Sequence, residues 1–313
     1  MINLTSFQKR LCNVLQNGLP IVARPFDTIA GQLGSEEAAV LAETKNLIAI
    51  GIIRRISASI NYKVLGKVSV LITAHVDQRK LTHIVAAVNM LGGVSHNYLR
   101  DHFYNLWFTL QGDSEEHIGL ILAKLAADTG TVFHSLPVVQ TFRLDVRFDA
   151  ESDGKSLLPC SENDYGSMLL MRPDDSEKTV LSKFQQNLEI VPEPFSNALP
   201  IVRSLIDKGI IRRVAAVVNY RTLGFAANAM FVCAVDDERC AEVGRRLAAS
   251  NNVSHCYQRR TFPDWQYNLF GMMHGRDMQQ LETIAAEFVS REKIRCYAIL
   301  KTLEEFKKIP VKI

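Results

Sequence analysis

The stretch that decides the fold is "GIIRRISASINYKVLG" at 51–66, because "GIIRRVAAVVNYRTLG" at 209–224 repeats it. The two match at ten of sixteen positions without a gap. Further matches lie on both sides. Val94-Ser95-His96-x-Tyr98-x-Arg100 returns as Val253-Ser254-His255-x-Tyr257-x-Arg259, and Asn105-Leu106 returns as Asn268-Leu269. Upstream, "LPIVARPF" (19–26) resembles "LEIVPEPF" (188–195). Matches that keep their order along the chain mean an internal duplication. The copies cover 1–148 and 165–313. Residues 149–164, a mixture of Asp, Ser, Gly and Pro without apolar period, read as a linker.

Each copy has the same order of elements. Copy one opens with three short amphipathic segments broken by glycines, the pattern of a helix-turn-helix unit over 1–51. A strand from Ile52 to Ile60 follows, then a second over 67–76, a helix over 79–91, strands at 94–99 and 104–110, a helix over 114–129 and a last strand near 132–142. Copy two predicts strands at 210–219 and 226–235, a helix at 237–249, strands at 252–258 and 266–273, a helix at 276–290 and a strand at 293–300. The fold class is therefore α+β, a tandem repeat. Each copy joins a helix-turn-helix-like (winged-helix) part to a ferredoxin-like α/β sandwich, at 52–148 and 210–313. This arrangement resembles the Lrp/AsnC family of transcription regulators.

DNA binding fits the residues poorly. The segment in the place of a recognition helix, 35–50, carries Glu36, Glu37 and Glu43 against a single Lys45, whereas phosphate contact needs cations. Copy two is also eleven residues shorter here, since Leu19 matches Leu188 while Gly51 matches Gly209. That deletion removes a helix and leaves a degenerate unit at 165–209. The whole-chain charge of +3 gives no electrostatic case for nucleic acid either. No apolar run approaches the roughly 18 residues of a membrane span, and "MINLTSFQKR" lacks the apolar core of a secretory signal. Six scattered cysteines without a Cys-x-x-Cys pair suit reduced thiols, and the expected location is the cytoplasm.

Three features recur beyond what packing requires. The first is a doubled arginine at a strand start, Arg54-Arg55 and Arg212-Arg213, whose members alternation sends to the sandwich layer and to the open sheet face. The second is the histidine phrase, in which His96, Tyr98 and Arg100, and likewise His255, Tyr257 and Arg259, project on one strand face. The third is the Asn-Leu phrase on the neighbouring strand, accompanied by Trp107 and Trp265, with His102 and His274 nearby in one copy each. His75, His83, His117 and His134 have no repeated counterpart. No dinucleotide fingerprint, P-loop, His-Glu-x-x-His or Gly-x-Ser-x-Gly phrase is present, so redox, kinase and hydrolase readings lack a motif.

"GGVSHNYLRDHFYNLWFTLQG" and "NNVSHCYQRRTFPDWQYNLFGMMHG", with "LPIVARPF" and "GIIRR", resemble the two subunit types of the siroheme decarboxylase family, so the chain looks like their natural fusion. The resemblance implies removal of CO2 from the C12 and C18 acetates of siroheme, giving didecarboxysiroheme for an alternative heme route or a nitrite-reductase heme. It implies a tetrapyrrole substrate that brings its own iron, no separate organic cofactor, and pairing of the two halves within the chain, with a further homodimer open. His255, His96 and His102 are then the candidate catalytic residues. His255 is also the candidate for contact with the substrate iron. Arg54, Arg55, Arg100, Arg212, Arg213, Arg259, Tyr98, Tyr257 and His274 are candidates for substrate binding, since a flat ring with eight carboxylates calls for apolar walls and arginines.

Overall fold

Thr5 starts the first helix for a local reason. Its hydroxyl accepts the Gln8 N–H and the Gln8 side chain accepts the Thr5 N–H, a reciprocal cap in the computed structural model, which describes residues 3–158, 169–309 and 311. Copy one runs α1 (Ser6–Asn17), α2 (Pro25–Leu33), α3 (Glu37–Ala49), β1 (Ile53–Ile60), β2 (Val68–Ala74), α4 (Gln78–Met90), β3 (Val94–Arg100), β4 (Leu106–Gly112), α5 (Glu115–Thr129), β5 (His134–Leu136) and β6 (Val138–Leu144). Copy two runs α6 (Asp175–Phe184), α7 (Leu199–Asp207), β7 (Ile211–Val218), β8 (Ala227–Cys233), α8 (Asp237–Ala248), β9 (Val253–Arg259), β10 (Leu269–Gly275), α9 (Met278–Glu292) and β11 (Tyr297–Lys308). In place of α2, copy two keeps one 3-10 turn, Ser196–Ala198, where the deletion falls.

The two copies are tied together by exchanged strands. β1 and β7 leave the sandwiches and pair with each other as an antiparallel ribbon, a departure from the expectation that each opens its own sheet. The remaining strands lie in the order β5-β2-β4-β3-β11-β8-β10-β9-β6. The last strand of copy one breaks at Pro137, which has no N–H for the ladder. Its first piece, β5, pairs with β2 at home; its second, β6, pairs with β9 of copy two. β11 does the reverse: Tyr297–Lys301 pairs with β8, and Thr302–Lys308 crosses to β3. It extends eight residues beyond the strand expected from the sequence, because those residues pair in the other copy.

Packing follows the exchange. The helical parts share one core, in which Leu11, Phe26 and Leu47 of copy one meet Phe184, Phe195 and Val202 of copy two. Each sandwich has its own apolar filling, and a further cluster with Trp107, Trp265, Met230 and Phe270 joins the sheets. The described part of the 149–164 segment is pinned. Asn13 bonds Asp149, Lys9 pairs with Asp153 at 2.7 Å, and Gly154 approaches Gly224 so closely that a Cβ would lie 2.2 Å from its carbonyl oxygen. Cys12, Cys233, Cys240, Cys256 and Cys296 are free thiols; Cys160 lies outside the described residues. Among the described residues no helix is long and apolar enough to cross a membrane.

Candidate active site

Strand alternation puts the repeated phrase on one face in both copies, as its spacing predicts. On β3 the His96 and Tyr98 rings lie 6.1 Å apart and the Arg100 guanidinium sits 5.4 Å over Tyr98. On β9 the His255 and Tyr257 rings are again 6.1 Å apart, with Arg259 at 4.7 Å over Tyr257. The serine before each histidine holds it: Ser95 Oγ is 2.8 Å from His96 Nδ1, and Ser254 Oγ is 2.8 Å from His255 Nδ1.

The two histidines lie close enough to act on one another, and both rings are largely surrounded by protein yet remain partly accessible. Burial, then Lys308 and Arg55, lowers His96 to about 4. Burial, then His96 and Arg259, lowers His255 to about 3, against a smaller opposing effect of Asp145. His274 is pushed well below its ordinary value by burial, His255, Lys308 and Arg100. His96, His255 and His274 therefore feel one another or a shared lysine and are brought together here. Lys308, the strand partner of His96, sits 4.7 Å over the ring of Tyr220, which also packs against His274.

Arg100 and Arg259 are the unusual charges. Both are buried, at 4% and 9% exposure, and among the described residues neither forms an ion pair with a carboxylate. Nη1 of Arg100 donates to the Leu300 carbonyl at 3.1 Å, and Nη1 of Arg259 donates to the Leu136 carbonyl at 2.9 Å. The Nε of each has no hydrogen-bond partner among the described residues. Burial lowers both guanidinia to about 10, which leaves them cationic at neutral pH.

The other predicted residues scatter. Arg55 bonds Ser57 at 3.2 Å and faces the His96 side, while exposed Arg54 is near Tyr98 and Lys308. Arg213 pairs with Asp145 at 3.2 Å beside Arg147, and Arg212 bonds the Asn61 side chain at 3.1 Å. His102 sits in the turn after β3, where its Nδ1 accepts the Tyr104 N–H and its ring meets Trp265 edge-on. Sequence reasoning missed Lys308, Tyr220, Asn228 and Thr302. Tyr220 carried a signal, the repeated Asn-Tyr of 61–62 and 219–220; the other three have none, because the opposite copy has no counterpart. A shallow groove lined by Lys45, Ile48 and Asn187 lies on the helical part and holds none of the histidines.

These features define a tandem protein of the AsnC-like class with a cluster of histidines and buried arginines. The family described as "AsnC-like ligand binding domain" matches at 65–143 and 222–307, and "Siroheme decarboxylase NirDL-like HTH domain" matches at 8–54. The chain belongs to the siroheme decarboxylase family. It is 35% identical to a siroheme decarboxylase of Hydrogenobacter thermophilus over 97% of this chain and 93% of the relative. A siroheme decarboxylase alpha subunit of Desulfovibrio desulfuricans, 38% identical, matches 49% of this chain and 88% of its own length, consistent with a fusion of two subunits. Crystal structures of the siroheme decarboxylase NirDL, one of them in complex with an iron-uroporphyrin III analogue, align with a TM-score of 0.74 at 30% identity, over 98% of this chain and 94% of theirs.

Proposed function

We propose that this chain decarboxylates siroheme, converting the C12 and C18 acetate side chains to methyl groups. The observation that carries the reading is the pair of buried arginines, one per copy, without carboxylate partners among the described residues. Burying an uncompensated charge is costly, so the anion that completes each site is expected to be a ligand. Siroheme carries eight carboxylates on a flat apolar ring, and arginine grips carboxylates with two parallel hydrogen bonds. Tyr98, Tyr257 and Tyr220 supply aromatic wall beside the charges.

The chemistry balances as acetate plus a proton giving methyl plus CO2. The carbon–carbon bond to the carboxylate breaks, and its electron pair passes onto the methylene carbon, where the conjugated ring delocalises it. A proton then completes the methyl group. The protein's task is to hold the ring's carboxylates, exclude water and place proton-bearing groups beside the acetates. His96 and His255 are the groups proposed for that, with His274 positioning His255 and with Arg54, Arg55, Arg100, Arg259 and Lys308 holding carboxylates. Iron enters as part of the substrate, and the reading calls for no organic cofactor. His102, Arg212 and Arg213 take supporting places in this scheme, because each is engaged by protein groups.

The test is anaerobic incubation of the full chain with siroheme, followed by mass spectrometry of the extracted tetrapyrrole. The expected product has lost two molecules of CO2. Intact siroheme after incubation with folded protein would sink the reading.

A further inference from the structure

We infer that Arg100, Thr302, Asn228 and His274 form a directional hydrogen-bond relay that holds His255 with its proton on Nε2, so that the partly accessible ring offers an N–H to substrate. The inference deepens the siroheme reading and rests on it for the identity of the ligand.

Direction comes from chemistry. A guanidinium has five N–H donors and no acceptor, so Arg100 Nη1, 3.1 Å from Thr302 Oγ1, must donate. The threonine's single proton then goes to Asn228 Oδ1, also at 3.1 Å. With its oxygen towards Thr302, the amide turns its NH2 to His274 Nδ1 at 3.3 Å. Nδ1 accepts, so the proton of a neutral His274 lies on Nε2 and is donated to Ser254 Oγ at 2.8 Å. Ser254 has one proton and two acceptors in reach, His255 Nδ1 at 2.8 Å and the Met272 carbonyl at 3.4 Å. The shorter bond is the stronger, so Nδ1 of His255 accepts. Its own proton is left on Nε2, which has no hydrogen-bond partner among the described residues and belongs to a partly accessible ring. The amide orientation fixes the sense beyond Thr302: with Asn228 turned over, Thr302 would accept from both Arg100 and Asn228 and its own proton would have no acceptor in the relay.

The relay is built on one side only, and its first donor comes from the other copy. In copy one Ser95 holds His96, but Val138 faces Arg259 where Thr302 faces Arg100. Gln111 and Ser69 occupy the strand pair that His274 and Asn228 occupy in copy two. A metal–imidazole bond uses the nitrogen lone pair. Nε2 of His255 has none to give while the relay holds, so the ring contributes a hydrogen bond to a substrate carboxylate and no bond to iron. Arg100, Thr302, Asn228 and His274 act on it as positioning residues, Arg100 in addition to its grip on substrate.

The test reads the ring nitrogens directly, by 15N NMR of the ligand-free full chain labelled at histidine, with His255 assigned through His255→Gln. Wild type is expected to show His255 as a single Nε2–H tautomer. Thr302→Val and Asn228→Leu, cut at different points, should each give a tautomer mixture, and Thr302→Ser should restore the single form. In siroheme turnover both cuts should lower kcat about tenfold with KM within about twofold, and Thr302→Ser should recover it. A wild-type proton on Nδ1, or one unchanged tautomer in wild type and both cuts, would overturn the relay. A chain with the expected tautomers that leaves siroheme intact would overturn the substrate reading and leave the relay standing.

Discussion

β3 and β9 carry the same phrase in the same conformation, yet the groups around them differ. Lys308 partners His96 where Leu144 partners His255. One residue on, Ile309 donates its N–H to the Ser95 carbonyl, while Asp145 donates its N–H to the Ser254 carbonyl. Asp145 is buried and ion-paired to both Arg147 and Arg213, so a buried carboxylate offsets part of the positive charge on the copy-two side. The copy-one side gathers Arg54, Arg55 and Lys308 against Glu305 alone among the groups acting there. Copy one thus supplies a cationic wall, and copy two a polar network leading to a histidine. After duplication the strand kept its shape, and specialisation was written on its neighbours, above all on the two exchanged strands.

The sharpest way to break this comparison is to remove the arginine that each copy contributes. Arg100→Met and Arg259→Met should each lower kcat/KM by at least about 100-fold, roughly 3 kcal/mol, since each leaves a substrate carboxylate unpaired in a buried site. The two should divide differently: Arg259→Met in KM, and Arg100→Met in kcat as well, because it also cuts the relay. Neither should lower the stability of the ligand-free protein by more than about 1 kcal/mol, because each variant removes a buried charge that has no carboxylate partner among the described residues. Steady-state kinetics beside urea denaturation checks both. Equal splits would argue that the copies are equivalent, and a large loss of stability would argue that the arginines are structural.

Acid stability distinguishes the histidines next. A ring lowered to about 4 or about 3 binds fewer protons folded than unfolded, where it titrates near 6.5. Stability from His96 is thus present above pH 6.5 and is lost as pH falls towards 4, and that from His255 is lost down to about 3. Each ring contributes a slope of up to about 1.4 kcal/mol per pH unit in its window. His96→Gln and His255→Gln should each flatten the fall measured by urea denaturation between pH 6.5 and 4.5. An unchanged slope in either variant would place that ring in solvent.

How far the sequence foretold this site follows from the same contrast. The duplication, the sandwich order, the missing helix of copy two and the shared face of His96, Tyr98 and Arg100 all rest on local repetition or on a period of two, both visible in one dimension. The exchange is not local. Nothing in "KTLEEFKK" at 301–308 says that it will pair with β3 and place Thr302 against Arg100. Lys308, Thr302 and Asn228 have no repeated counterpart, so a search built on repetition passes over them. The arginine doublets show the same limit: alternation assigns faces only within a sheet, β1 and β7 form a separate ribbon, and Arg213 meets its partner Asp145 across sixty-eight residues.

The mildest change makes the two sides alike at one position. Lys308→Leu copies Leu144 of the other half and removes a partly buried ammonium from the His96 side, leaving Glu305 without its neighbour at 3.7 Å. The lysine lowers His96, His255 and His274, so its loss should move all three upward and narrow the acid window defined above. If its main task is to hold a ring carboxylate, KM should rise about fivefold, near 1 kcal/mol, with kcat little altered. The salt dependence of KM should also weaken, because one fewer cation attracts a polyanionic ring. A change confined to kcat would give Lys308 a part in the reaction step instead, and the cationic wall of copy one would then rest on Arg54 and Arg55 alone.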